Sequence, residues 1–295
     1  MLVPSFLKWI GTCLCCLPAA VLSINSLPSC AAQAQVDAPA PLQTPELAGI
    51  AHAAIRVADL DKSRAFYEKL GFEEAFAMSR DGKPTQSFIK VNDRQFIELY
   101  PQTKPTDTVG FMHVCFESAE IEALNKAYVA RGLAPIPVRK AGAGNLLFTM
   151  EGPEKQNIEY TQYMPGSKHT NDKGLHLGAN RVSEQIVAMG IEMQDPAAAR
   201  TFYEEKLGFA PADSLAPSLE QGQTWLALPG ESSLRIEIVQ HGPGSAFQMF
   251  FGVSDLRRTA TQLKALHIAV EKHKSMLTIL DPDGNRIVFV AAKAA

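Results

Sequence analysis

Four side chains in the first half of the sequence stand at matching phase. His52 and His113 are 61 residues apart, and Glu98 and Glu159 repeat the same spacing. Each histidine sits in a strand-like apolar run, residues 50–57 and 110–116. Each glutamate interrupts another, Phe96-Ile97-Glu98-Leu99-Tyr100 and Asn157-Ile158-Glu159-Tyr160. A carboxylate in mid-strand is unfavourable to bury unless it is paired or binds a cation. Any one of the four, taken alone, reads as a surface or satisfied residue. Their symmetric placement carries the metal reading. If the two segments pack about a pseudo-twofold axis, two imidazoles and two carboxylates surround one point. That set, with two open positions, suits one octahedral divalent ion such as Zn, Ni, Co, Fe or Mn.

The second half supplies a control. Aligned on its Phe202-Tyr203, it places Ala188 at the position of His52, Glu237 at Glu98, Gln248 at His113 and Val288 at Glu159. The framework persists there without the ligands, so one ion per chain is expected. Arg56 shares the face of His52 and Ala54 by the two-residue period of a strand. It reads equally as a substrate-anion site and as a structural partner of Glu98 or Glu159.

The elements that must position these residues form a repeat. Arg64-Ala65-Phe66-Tyr67-Glu68-Lys69-Leu70-Gly71-Phe72 recurs as Arg200-Thr201-Phe202-Tyr203-Glu204-Glu205-Lys206-Leu207-Gly208-Phe209, and a weaker repeat divides each half again. Each of the four units reads as a strand, a helix and further strands, β-α-β-β-β. Asp59 or Asp61 caps the first helix and Gly71 ends it. In the first unit the later strands are expected at 86–91 and 95–100, around Asn92-Asp93. The second unit has strands at 110–116, 146–150 and 157–163, with a helix ending at Arg131-Gly132. Asp195-Pro196 opens the third helix and Asp255 the fourth. The fourth unit has strands at 247–253, 276–280 and 286–291. Residues 164–178 read as the connection between the halves.

With 46% hydrophobic and 20% charged residues, the chain is of ordinary globular composition, which excludes collagen-like, disordered and multi-span membrane classes. A net charge of -3 gives no footprint for nucleic acid. Of five cysteines only Cys115 lies beyond residue 30, so no internal disulfide framework or thiolate cluster is expected. Lys8, an apolar run and Ala32-Gln33-Ala34 read as a secretory signal peptide over residues 1–34, followed by a Pro-rich tether at 35–48. Pro18 and the shortness of the run argue against a spanning helix, with an uncleaved anchor as the alternative. Leu27-Pro28-Ser29-Cys30 resembles a lipobox, which would make Cys30 a lipid anchor. The expected location is periplasmic or secreted.

His52-x-x-Ile55-x-Val57 followed by Ser63-x-x-Phe66-Tyr67-x-x-Leu70-Gly71-Phe72 resembles the N-terminal signature of glyoxalase I, departing at Ala53. Through it the chain resembles the vicinal oxygen chelate superfamily, which includes glyoxalase I, extradiol dioxygenases, methylmalonyl-CoA epimerase and fosfomycin-resistance proteins. The resemblance implies an α+β fold of four βαβββ modules paired into two glyoxalase-like domains. It places a first domain at 49–165, a linker at 166–181 and a second domain at 182–295. It carries the His, Glu, His, Glu set of bacterial glyoxalases onto His52, Glu98, His113 and Glu159, and their glutathione-binding arginine onto Arg56. The family's asparagine is Gln102 here. The four-module length is similar to that of extradiol dioxygenases, which use a His, His, Glu iron triad. Phe148 stands near where those enzymes have a tyrosine, and residues 132–158 contain no histidine.

The function expected is therefore an exported metal-dependent enzyme acting on a small anionic, oxygen-rich molecule. One divalent ion would act as a Lewis acid in isomerase or lyase chemistry through an enediolate-like intermediate. Glu159 or Glu98 would shuttle the proton, and Arg56 would orient the anion. The alternatives are oxygen activation at Fe(II) and a non-catalytic ligand-binding protein. The partners expected are the small-molecule substrate and, as one option, a second copy of the chain in a homodimer.

Overall fold

The computed structural model describes residues 45–215, 223–242 and 247–292. The expected signal peptide, Cys30 and most of the expected tether lie outside the described residues. At the end of that tether Leu47 is buried, its N–H donating to Pro229 O at 2.8 Å while Ala48 N donates to Glu117 O at 2.7 Å.

In the first half β1 (Gly49–Val57), α1 (Leu60–Lys69), β2 (Glu73–Arg80), β3 (Lys83–Lys90) and β4 (Phe96–Pro101) form one module. β5 (Gly110–Glu117), α2 (Ile121–Ala130), β6 (Arg139–Lys140), β7 (Leu146–Glu151) and β8 (Asn157–Gln162) form its pair. Their strands make one curled eight-stranded sheet in the order β2-β3-β4-β1-β5-β8-β7-β6. The short helix α3 (Lys168–Asn171) follows. The second half repeats the plan with β9 (Gln185–Met193), α4 (Pro196–Thr201), β10 (Ala210–Pro211), β11 (Thr224–Leu228), β12 (Glu231–Gln240), β13 (Gln248–Val253), α5 (Leu256–Ala265), β14 (Glu271–His273), β15 (Met276–Leu280) and β16 (Arg286–Ala291). Its order is β10-β11-β12-β9-β13-β16-β15-β14. The α+β fold of paired βαβββ modules is thus present.

Local sequence explains the elements. Asp59 accepts the Lys62 N–H at 3.0 Å, and Phe66 and Tyr67 turn inward from α1. Gly71 ends the helix at φ +85°, where a Cβ would stand 2.6 Å from Asn180 O, so both conformation and space demand glycine. The helix that α4 opens carries one residue more between Tyr203 and Leu207 than α1 has between Tyr67 and Leu70. A π-turn at Phe202–Lys206 absorbs it, and Leu207 stays as buried as Leu70. β2 is the first of the three strands that the β-α-β-β-β plan puts after α1, and the sequence does not locate it, because Glu73-Glu74-Ala75-Phe76-Ala77-Met78-Ser79-Arg80 is half-exposed and carries little alternation.

The two domains interlock by a repeated device. The β15–β16 loop reaches the start of α1, where Asp283 accepts the Ala58 N–H at 3.2 Å, and Tyr67 OH donates to Asp281 at 3.3 Å. The β7–β8 loop does the same for α4. Glu154 accepts the N–H groups of Gln194 and Asp195 at 2.9 and 2.8 Å, and Tyr203 OH donates to Gln156 Oε1 at 2.9 Å. Charge-assisted bonds to helix N-termini thus register one half on the other.

Candidate metal centre

β1 lies at the middle of the first sheet, parallel to β4 and antiparallel to β5, and β5 runs parallel to β8. Ala54 stands opposite both Glu98 and His113, and Cys115 opposite Glu159. Four adjacent strands therefore deliver His52, Glu98, His113 and Glu159 to one concave face, as their phase in the sequence required.

The structure divides the four into three and one. His52 Nε2 lies 3.1 Å from His113 Nε2 and 3.4 Å from Glu159 Oε1, and His113 Nε2 lies 4.0 Å from Glu159 Oε2. One donor atom from each of these residues falls within 4.8 Å of the others. Glu98 sits on the other side of the ring, its Oε1 3.2 Å from His52 Nδ1. Tyr100 OH donates to Glu98 Oε2 at 3.0 Å and Gln86 Nε2 donates in turn to Tyr100 OH. A carboxylate on Nδ1–H fixes the tautomer in which Nε2 is free to ligate. Metal–nitrogen bonds of about 2.1 Å at right angles span roughly 3.0 Å, close to the observed imidazole separation. The donor set and its spacing fit a divalent ion.

Electrostatics agree. Burial, reinforced by the neighbouring His113, holds the His52 imidazole well below its ordinary value, and burial pushes His113 down to about 4. Both rings are therefore neutral near pH 7, the form that binds metals. Burial pushes Glu159 up to about 7, against a hydrogen bond from Cys115 and the field of Arg139. Glu98 is raised by burial and by Glu159, with the Tyr100 hydrogen bond opposing. Two carboxyl groups sharing a dry site resist joint ionisation, and a divalent cation relieves both.

The cluster opens into a cavity of about 220 Å³ lined by Gln86, Phe88, Tyr100, Leu147, Tyr163 and His169 among others. Arg56 is not among its lining residues. Its guanidinium donates to Thr108 O at 3.1 Å, at the loop before β5. Arg139, which no sequence pattern singled out, does line the cavity.

The connection between the halves forms part of the wall. Ser167 caps α3 by accepting the Thr170 N–H at 3.2 Å. His169 is buried among Phe76, Phe88, Phe96 and Tyr163, with Asn145 Nδ2 2.9 Å from its Nδ1. Lys90, fully buried at the end of β3, donates to Asp172 Oδ2 at 2.8 Å, Asp172 O at 2.6 Å and Leu175 O at 2.7 Å. The segment is thus a latched element of the first domain.

In the second domain the same registers place Gly190 opposite Glu237 and Gln248, with Ala188 and Val288 both opposite Phe250. Glu237 accepts from Gln223 Nε2 at 2.5 Å and Gln248 Nε2 at 3.4 Å. Gln223 keeps the carboxamide that Gln86 supplies in the first domain, while Gln248 puts a carboxamide where His113 offers an imidazole.

The family model described as Glyoxalase/Bleomycin resistance protein/Dioxygenase superfamily matches residues 49–160 and 185–289. Among solved structures, an extradiol ring-cleaving dioxygenase from B. fuscum superposes with a TM-score of 0.63 at 17% identity, over 86% of this chain and 74% of that one. The Mn(II)-bound glyoxalase from Novosphingobium aromaticivorans gives 0.63 at 17% identity, over 83% and 82%. The 2,3-dioxygenase LapB from Pseudomonas sp. KL28 gives 0.62 at 18% identity, over 85% and 94%. Curated proteins gave no match. At these identities the structures report the fold, and the family model, covering both domains, reports the ancestry. The chain belongs to the Glyoxalase/Bleomycin resistance protein/Dioxygenase superfamily.

Proposed function

We propose that the chain is an exported, metal-dependent enzyme acting on a small oxygen-rich anion by isomerase or lyase chemistry of glyoxalase type. The observation that carries this reading is the division of the cluster. His52, His113 and Glu159 converge, while Glu98 lines the same cavity without joining them. A divalent ion held by the three would polarise two vicinal oxygens of the substrate as a Lewis acid. Glu98 is left as the base, positioned by Tyr100 OH and His52 Nδ1 and made more proton-avid by burial.

Glu98→Gln tests the assignment, because it keeps the size and one acceptor oxygen while removing the basic site. Metal content, measured by elemental analysis, should stay near that of the unmodified protein, while turnover should fall about 100-fold or more. Parallel loss of metal and activity would make Glu98 a ligand and overturn the division of roles.

A second reading, Fe(II)-dependent oxygenation, is favoured by the same three-residue set, since two histidines and one carboxylate leave room for a bidentate substrate and a further small ligand. Iron in the purified protein, with oxygen uptake on a catechol, would select it over isomerisation.

Export rests on residues 1–34. The mature protein should begin at Gln35, or at a modified Cys30 if lipidated. N-terminal sequencing that finds an intact Met1 on cytoplasmic protein would refute export.

A further inference from the structure

The concave face of the second domain carries Ala188, Gln248 and Val288 where the first has His52, His113 and Glu159, and it holds a chemistry of its own. The strand registers lay it out in two rows. Trp225, Glu237, Gly190 and Gln248 stand opposite one another across β11, β12, β9 and β13. Two residues along, Arg235, Ala188, Phe250, Val288 and Thr278 do the same from β12 to β15. Paired residues and residues two apart on a strand point to one face, so both rows share it. Trp225, Ala188, Phe250 and Val288 belong to an apolar cluster separate from the main core, with Trp225 and Phe250 meeting edge to face at 5.1 Å. On the same face lie four buried polar atoms without a hydrogen-bond partner: Trp225 Nε1, Arg235 Nε, Gln248 Oε1 and Thr278 Oγ1. The Trp225, Gln248 and Thr278 side chains are more than nine-tenths buried. Gln248 Nε2 donates to Glu237 Oε2 at 3.4 Å, which leaves its carbonyl oxygen as the free end, and an Arg235 Nη1 bond to Asp213 O at 2.8 Å holds the guanidinium. A donor or acceptor left unmade in an apolar surround is costly, and a purely structural core would replace it with an apolar group. Four such atoms on four strands of one face mark a binding surface.

We propose that this face is a second binding site, independent of any metal, for a neutral planar molecule that carries a carbonyl and an N–H, an aromatic carboxamide or a lactam. The class follows from the groups. Trp225 Nε1–H and Arg235 Nε–H only donate, which calls for a carbonyl oxygen, and Gln248 Oε1 only accepts, which calls for an N–H. The Thr278 hydroxyl answers either. Trp225 and Phe250 supply aromatic surface for a ring. Arg235 and Glu237 carry opposite formal charges, so the face offers an ionic ligand no net charge. Ala188 and Val288 provide no ligand atom for a metal.

The experiment titrates metal-free full chain with benzamide and with acetophenone, which keeps the ring and the carbonyl but has a methyl group in place of the amide nitrogen. Benzamide should bind about tenfold more tightly, the effect of an acceptor that acetophenone leaves buried and unmade. The chain has two tryptophans, Trp9 and Trp225, so Trp225→Phe or Trp9→Phe identifies the Trp225 indole N–H resonance. That resonance should move as benzamide is added. Trp225→Phe, which keeps a ring, and Thr278→Val, which keeps the shape, should each weaken benzamide binding by about three- to tenfold. Adding Zn(II) should leave the benzamide affinity unchanged, whereas competition between the two would place the probe in the first domain and overturn the proposal. An unmoved Trp225 resonance, or equal affinity for the two probes, would overturn it as well and leave ordered water to satisfy these groups. None of these readings depends on whether the His52 cluster holds a metal.

Discussion

Replacing His113 by alanine should abolish the metal binding proposed for the His52, His113 and Glu159 cluster. The imidazole is buried, its Nε2 faces His52 Nε2 at 3.1 Å, and only Glu159 would remain to complete the set with His52. Loss of a supporting residue outside the coordination sphere already weakens metal sites about 10- to 100-fold, so deletion of a ligand should weaken this one by more than about 100-fold. The matched control is Gln248→Ala, at the equivalent place on β13. It should leave metal content unchanged, because Ala188 and Val288 deny the second domain the other ligands. Titration of metal-free protein with Zn(II) separates the cases. Binding by His113→Ala at the affinity of the unmodified protein would sink the centre. Loss of binding in Gln248→Ala would move it to the other domain.

The convergence of the two histidines and two glutamates was legible because it depends on two regularities that sequence displays directly: the phase of a repeat and the two-residue period of strands. His52, Glu98, His113 and Glu159 needed nothing more to be placed on one face. Their division into three and one was not legible, because the choice between Nδ1 and Nε2 rests on the ring orientation of His52. Tyr100 and Gln86 set that orientation from β4 and β3 by holding Glu98. Arg139 carries no sequence signal for a different reason. It follows Ala134-Pro135-Ile136-Pro137-Val138, which carries no period, and β6 is two residues long. Arg56 keeps its register with Tyr100, but its guanidinium bonds to Thr108 O, and alternation along β1 could not show that it is absent from the cavity lining.

The polar connection between the halves was equally opaque, since its order comes from a lysine 82 residues earlier in the chain. Lys90→Met should therefore be among the most destabilising single changes in the first domain. The ammonium is fully buried and its three N–H donors are shared among four acceptors: Asp93 Oδ1 at 2.8 Å, Asp172 Oδ2 and two backbone carbonyls. Methionine fills the volume but leaves the Asp172 carboxylate, itself buried, with His176 as its remaining ring partner, and strands both carbonyls. Breaking a buried pair from one side costs about 3–5 kcal/mol. For a domain pair of this size each kcal/mol lowers the melting temperature by about 2–4 °C, so a fall of roughly 10 °C is expected. Adding Asp172→Asn to Lys90→Met should recover part of the loss, because the uncompensated charge disappears with it. Hydrogen exchange should quicken first in residues 164–176, the latched wall of the cavity. Thermal and urea denaturation of metal-free protein would decide the matter. A Lys90→Met protein within about 1 kcal/mol of the unmodified one would show that the segment is held by the aromatic packing of His169 instead.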